Sequence, residues 1–352
     1  MLKSFNSDEY VLWKTHSLKP HIIDANNSKT TSLQNTTILA GDLENMYTSL
    51  DHDSIIKAYD WLIKQTTDTK RAKGVNIPMF KHSGEPNLGS GTHNSESHVF
   101  LSFAQIREII LFDLNNTYFS VGDTILQQHT GISMGSPLSP ALAIMLCCFY
   151  EQSFRTAHAQ NPLLKSLHAA RYMDDVLALV HHTPTEKPAA QSLLNDLSTC
   201  YHKNMTMDTE DDTTDFKFLE STVTHPSPTR EISLKYFSKN TPNIQANGKQ
   251  LFFQYQDYSS YSIDKQKRGT IISTFCRINR STMDRNDLIN AYTDAIDQFF
   301  ILKYPRQLLH KSLLSMVHNP KHDMDNTIWQ KLQAYYSPYQ NSPPCTPSYP
   351  TS

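Results

Sequence analysis

Two apolar runs, Ala169-Ala170-Arg171-Tyr172-Met173 and Val176-Leu177-Ala178-Leu179-Val180, flank the acid pair Asp174-Asp175. Runs of this length joined by two turn-forming residues predict a β-hairpin. With acids at the turn, two carboxylates should project together from its tip. A third acid ends another such run: Thr37-Ile38-Leu39-Ala40-Gly41-Asp42-Leu43 reads as a short buried strand delivering Asp42 to a site. The separation of 132 positions between Asp42 and Asp174 suits a strand-helix-strand-strand arrangement that brings the acids together. An isolated Asp-Asp is an ordinary turn dipeptide, so the pair gains meaning only from its surroundings.

Asp53 is expected to cap a helix carrying Ile55, Ile56, Tyr59, Leu62 and Ile63 on one face. Residues 66–98, rich in Thr, Lys, Gly, Ser, His and Asn, read as an exposed insertion. Ser136-Pro137 or Ser139-Pro140 predicts the start of a buried helix, on which Leu138, Ala141, Leu142, Met145, Leu146 and Phe149 share a face. Strands are expected at Phe216–Leu219 and Ile232–Phe237. Helical periodicity follows from Asp264 to His318, broken at Pro305, and residues 337–352 have the composition of a disordered tail. The fold class is therefore α+β: an antiparallel sheet backed by helices, then a helical region.

Composition sets bounds. The chain has 352 residues, 38% of them hydrophobic, enough for a large core. Its 32 Lys and Arg against 34 Asp and Glu give a net charge of −2, so any polyanion must be held locally. The clearest basic patch is Lys265, Lys267, Arg268, Arg277, Arg280 and Arg285, within 21 positions. Five cysteines without C-x-x-C spacing suggest neither a disulfide framework nor a zinc site, which fits a reducing intracellular compartment. The longest apolar run, Ala141–Tyr150, is too short to cross a bilayer and the N-terminus lacks a leader pattern, so no membrane partner is expected.

Converging carboxylates are what phosphoryl transfer from a nucleoside triphosphate requires. Two hard cations about 4 Å apart activate the attacking hydroxyl and steady the leaving pyrophosphate, and such ions take oxygen ligands. This chemistry demands that position 42 lie within about 10 Å of position 174.

Asp42-Leu43-Glu44-Asn45-Met46-Tyr47-Thr48-Ser49, Gly131-Ile132-Ser133-Met134-Gly135-Ser136-Pro137-Leu138-Ser139-Pro140 and Arg171-Tyr172-Met173-Asp174-Asp175 resemble, in order and spacing, three palm motifs of Penelope-like reverse transcriptases. The middle motif is the most specific; Met134, where most other reverse transcriptases carry glutamine, points to that branch. Asn204–Glu210, Phe218-Leu219-Glu220 and Leu234–Lys239 are similar to the family's downstream strands, with Glu220 where an aspartate is usual. Lys265–Arg280 and Tyr304-Pro305 resemble its thumb, so the likeness covers about residues 36–320.

The resemblance implies an RNA-directed DNA polymerase with the right-hand palm at 36–240 and a connection and helical thumb at 241–320. Residues 1–35 would be a remnant of the link to the fingers. Asp42, Asp174 and Asp175 would be catalytic, holding two Mg2+ ions, or Mn2+, together with the carbonyl of Leu43. Tyr47 would lie under the incoming sugar and exclude a ribose, with Gly135 and Ser136 beside the deoxynucleoside triphosphate. Gly131, Met134, Tyr172, Lys265, Lys267, Arg268, Arg277 and Arg280 would meet an RNA template and DNA primer. Only 41 residues precede Asp42, too few for the family's fingers, and no Gly-Ile-Tyr/Tyr-Ile-Gly endonuclease pair is present. A separate fingers-bearing chain is one expectation from this; a truncated or domesticated nucleic-acid-binding protein without activity is the competing one.

Overall fold

A computed structural model describes residues 10–29, 35–80, 82, 84–91, 96–209, 215–225, 231–252, 254–319 and 324–337. The tail expected from 337 lies almost wholly outside these, as does Glu210. The chain divides into two compact units, one of residues 1–15 and 27–212, the other of 16–26 and 213–352. The break at 212 rather than 240 assigns the strands after 213 to the helical unit. Helix α1 (Leu18–Ser28) precedes the first sheet, and its residues to Asn26 belong to the second unit.

In the first unit, β1 (Asn35–Leu43) leads through a short turn of helix, α2 (Met46–Ser49), into α3 (His52–Lys70). The cap of α3 is Asp51, whose carboxylate accepts from Ser54 N–H at 2.9 Å; Asp53, the expected cap, sits in the first turn. Residues 66–98 are not a bare insertion. After α3 they form β2 (Gly74–Pro78) and β3 (Asn87–Gly89), which with β4 (His98–Ser102) make a three-stranded antiparallel sheet. Ala72, Val75 and Phe103 give it a small apolar core, and main-chain pairing carries what the polar composition does not.

Helix α4 (Phe103–Asn115) begins with a capping box from Ser102 and Gln105 and is followed by an exposed hairpin, β5 (Tyr118–Val121) with β6 (Thr124–Gln127). Helix α5 (Ser139–Ala157) takes the second of the two expected starts, with Pro140 in its first turn, and buries Leu142, Met145 and Leu146. β7 (Leu167–Tyr172) and β8 (Asp175–His182) form the expected hairpin, α6 (Lys187–Ser198) crosses behind, and β9 (Met207–Thr209) closes the unit.

The central sheet has the order β7-β8-β1-β9, antiparallel throughout. Alternation sends Leu39, Ala169, Ala178 and Val180 to one face, where they pack on Leu193, Leu194 and Leu197 of α6 and Phe154 of α5. The acids leave from the other face.

In the second unit, β10 (Asp215–Phe218), β11 (Ser221–Thr224) and β12 (Ser233–Tyr236) form an antiparallel meander, followed by the short α7 (Thr241–Asn247). Helices α8 (Asp264–Arg280), α9 (Arg285–Ile301), α10 (Arg306–Val317) and α11 (Asn326–Tyr336) then build one apolar core around Phe275, Tyr292, Phe299, Leu313 and Leu332. The break expected at Pro305 falls between α9 and α10.

Candidate active site

Asp42 is the penultimate residue of β1, a strand flanked on both sides. It stands opposite Asp175 of β8 on one side and Asp208 of β9 on the other. Asp175 in turn stands opposite Tyr172 of β7. Directly opposed residues of antiparallel strands share a face with Cα atoms roughly 5 Å apart. Tyr172, Asp175, Asp42 and Asp208 therefore form one row across all four strands.

The tip of the hairpin differs from expectation by one residue. Its turn is Met173-Asp174, with Met173 in the left-handed region at φ 58°, and Asp175 is already the first residue of β8. Asp174 thus projects from the turn, and Asp175 from the sheet. The N–H of Leu43 donates to the Asp174 carbonyl at 3.0 Å, tying the end of β1 to the turn and meeting the proximity that the chemistry demands.

Electrostatics report the crowding. Burial, followed by the charges of Asp174, Asp208 and Glu44, raises the Asp42 carboxyl above its ordinary range. Burial, then Asp174 and Asp42, pushes Asp175 up to about 6. Like charges held together disfavour ionisation, and a cation among them would reverse the shift. The donor set is all oxygen, the kind that magnesium prefers. Among the described residues, however, no three His, Cys, Asp or Glu side chains converge as they stand on a common point for a metal ion. The backbone brings the acids together, and side-chain rotation would have to complete a coordination sphere.

Asp208 was not singled out from the sequence, although it lies in a stretch that the resemblance covered. The missing signal was pairing: only the β1–β9 register places it beside Asp42.

The half-buried Tyr47 lies on α2, and its hydroxyl is raised first by burial and then by the Asp174 charge, which places it near the acids. Gly131 has a reason internal to the fold. Its φ is 81°, its N–H donates to Leu50 O at 2.7 Å, and its carbonyl is 2.8 Å from His52 Nε2. A Cβ there would come within 2.7 Å of the Tyr47 carbonyl oxygen and 2.8 Å of Thr48 Cα. It packs against the backbone that follows Asp42. Ser136 is likewise engaged, donating to the Asp113 carboxylate at 3.0 Å, whereas Gly135 is exposed and Met134 is 79% exposed.

The basic patch on α8 is smaller than the sequence suggests. Lys267 is buried, with Nζ 2.9 Å from Ser260 O and 4.5 Å from the centre of the Tyr258 ring. Arg277 donates to Glu220 at 2.9 Å and to the Tyr255 hydroxyl at 2.8 Å. Arg285 meets Asp325 at 2.6 Å. Partners within the fold engage these three side chains, Arg285 while still exposed. Lys265, Arg268 and Arg280 remain exposed.

The antiparallel sheet backed by helices, with the helical unit after it, is the α+β palm-and-thumb fold of nucleic-acid polymerases. Among solved structures, telomerase from Candida albicans, in complex with the TWJ fragment of telomeric RNA, matches with a TM-score of 0.58 at 14% identity, over 94% of this chain and 54% of that one. Telomerase from Candida tropicalis, also in complex with a TWJ fragment, gives 0.49 at 12%, over 94% and 47%. An RNA-dependent RNA polymerase complex gives 0.43 at 11%, over 79% and 22%. The first of these carries the comparison of fold; this chain spans about half the length of that telomerase chain. No protein-family profile and no curated protein sequence matches the chain.

Proposed function

We propose that this chain is the catalytic part of a reverse transcriptase of the Penelope-like kind, adding deoxynucleotides to a primer 3′-hydroxyl on an RNA template. The observation that carries the proposal is the row Asp175-Asp42-Asp208 beside the Asp174 turn, where burial and then the neighbouring acids raise the carboxyls of Asp42 and Asp175. Bound Mg2+ would supply activation of the hydroxyl and charge neutralisation on the pyrophosphate. Asp42, Asp174 and Asp175, with the Leu43 carbonyl, would hold it. Tyr47 would bound the sugar pocket, and exposed Lys265, Arg268 and Arg280 would contact phosphates. The RNA in the telomerase complex agrees in kind with an RNA template.

Primer extension with magnesium and deoxynucleotides tests the proposal. Asp174→Asn with Asp175→Asn should lower extension by more than about 100-fold, at least the loss typical when a metal site's support is removed, with template affinity unchanged. Extension that survives the double substitution overturns it. Tyr47→Ala should raise ribonucleotide use by about tenfold if the ring abuts the sugar, a single steric contact being worth roughly that much discrimination. A second reading, a reverse-transcriptase-derived nucleic-acid-binding protein without activity, draws on the acids' failure to converge as they stand. It predicts equal RNA binding and no extension in native and substituted proteins alike.

A further inference from the structure

Arg171 belongs to the motif that bears the acid pair, yet no role above uses it. It lies on the helix-packed face of β7, behind the acids, and is 0% exposed. Its donors run in two directions. Nε and Nη2 reach the two carboxylate oxygens of Glu151, on α5, at 2.5 and 3.2 Å. Nη1 donates to the carbonyl of Met173 at 3.0 Å. Glu151 also accepts from the Tyr201 hydroxyl at 3.1 Å, and Nη2 lies 3.7 Å from Cys148 Sγ.

A buried ion pair costs hydration that an apolar pair of the same volume would not, so stability alone is a poor reason to keep one. An apolar pair could not, however, donate to the Met173 carbonyl. Met173 is left-handed, a strained conformation for a residue with a Cβ, and it sets the direction of the chain into Asp174. Lysine presents its donors from a single point. The planar guanidinium can satisfy a carboxylate with one edge and a carbonyl with another.

We infer that Arg171, held by a Glu151 that Tyr201 braces, is a positioning residue that fixes the left-handed Met173 turn and so places Asp174 and Asp175 beside Asp42. Its consequence for rate rests on the polymerase reading; its consequence for the turn does not.

The test exploits that difference. Arg171→Met with Glu151→Met replaces the ion pair by apolar side chains and removes the donor to Met173. Two readouts are compared with the native protein: amide exchange at Leu43, whose N–H bonds to the Asp174 carbonyl, against Leu39 in the middle of β1; and single-turnover extension alongside template-primer affinity. The expected result is Leu43 exchanging about tenfold faster with Leu39 unchanged, and extension slower by about tenfold or more at unchanged affinity. Native protection at Leu43, or undiminished extension in an active protein, overturns the inference. Faster exchange at Leu43 with no extension even in the native protein leaves the positioning role standing and removes the polymerase reading. Should the double variant lose protection throughout, Glu151→Gln gives the same comparison without changing shape; about threefold faster exchange confined to Leu43 is expected, and no change overturns the inference.

Discussion

At the end of β1 the carboxylates of Asp42, Asp174 and Asp175 have one another's charges for neighbours and, among the described residues, no cation in ion-pair contact. On α8 and at the start of α9 the position is reversed. Lys267, Arg277 and Arg285, three of the six cations clustered in sequence, are taken up by Ser260 and Tyr258, by Glu220 and Tyr255, and by Asp325. One region keeps charges without ion-pair partners on adjoining strands; the other engages them locally. A fold has no structural reason to crowd unpaired acids, whereas tying a long cationic side chain over an aromatic ring is ordinary packing. Local charge density in a sequence is thus a poor guide to a binding surface, and unrelieved repulsion in a structure is a better guide to a site.

The helical core gives the largest expected effect. Phe275 is fully buried, 4.8 Å from Tyr292 between ring centres, and Phe275→Ala should cost about 3–5 kcal/mol in urea unfolding. A markedly smaller loss would mean that the helical unit is looser than its cation contacts suggest. Next, Arg277→Ala should lower stability by about 1–3 kcal/mol, because its partners lose a charged donor, while leaving the salt dependence of the proposed RNA binding as it was. Lys265→Ala, Arg268→Ala or Arg280→Ala should do the opposite, each reducing that salt slope by about one with little change in stability. A changed slope for Arg277→Ala would break the division between engaged and available cations.

The smallest effect is on pH. Asp175 titrates at about 6 in the folded protein, against roughly 4 for an unfolded aspartate. Between those values the folded chain holds a proton that the unfolded chain releases, so without divalent cations stability should fall as pH rises from about 4 to about 6. Asp175→Asn should flatten that slope in thermal melts. A native slope of opposite sign would mean that the acids are neutralised after all.

The apolar strands around the acids and the helical run from Asp264 were legible because burial imposes a period on sequence. Asp174-Asp175 was read as the turn, but Met173 carries no turn signal; it is left-handed because the register of Tyr172 with Asp175 leaves two residues to reverse the chain. The sheet of β2, β3 and β4 was hidden because β2 and β3 are short and set in a polar stretch, so Val75, Ile77 and Leu88 are too few to show a period, and the pairing with β4 is made by main-chain bonds. Asp208 and the Glu151 partner of Arg171 depend on contacts between distant segments, and neither their spacing nor their neighbours announce them.

Gly131 has a mechanical consequence. Its bare Cα is clamped against the Tyr47-Thr48 backbone, with amide links to Leu50 on one side and from Ile132 to Tyr47 on the other. The segment leading into α5 and the bend after Asp42 are therefore interlocked like cogs: a methyl group added at 131 would strike the Tyr47 carbonyl oxygen and Thr48 Cα, more than 80 positions earlier in the chain and just past Asp42.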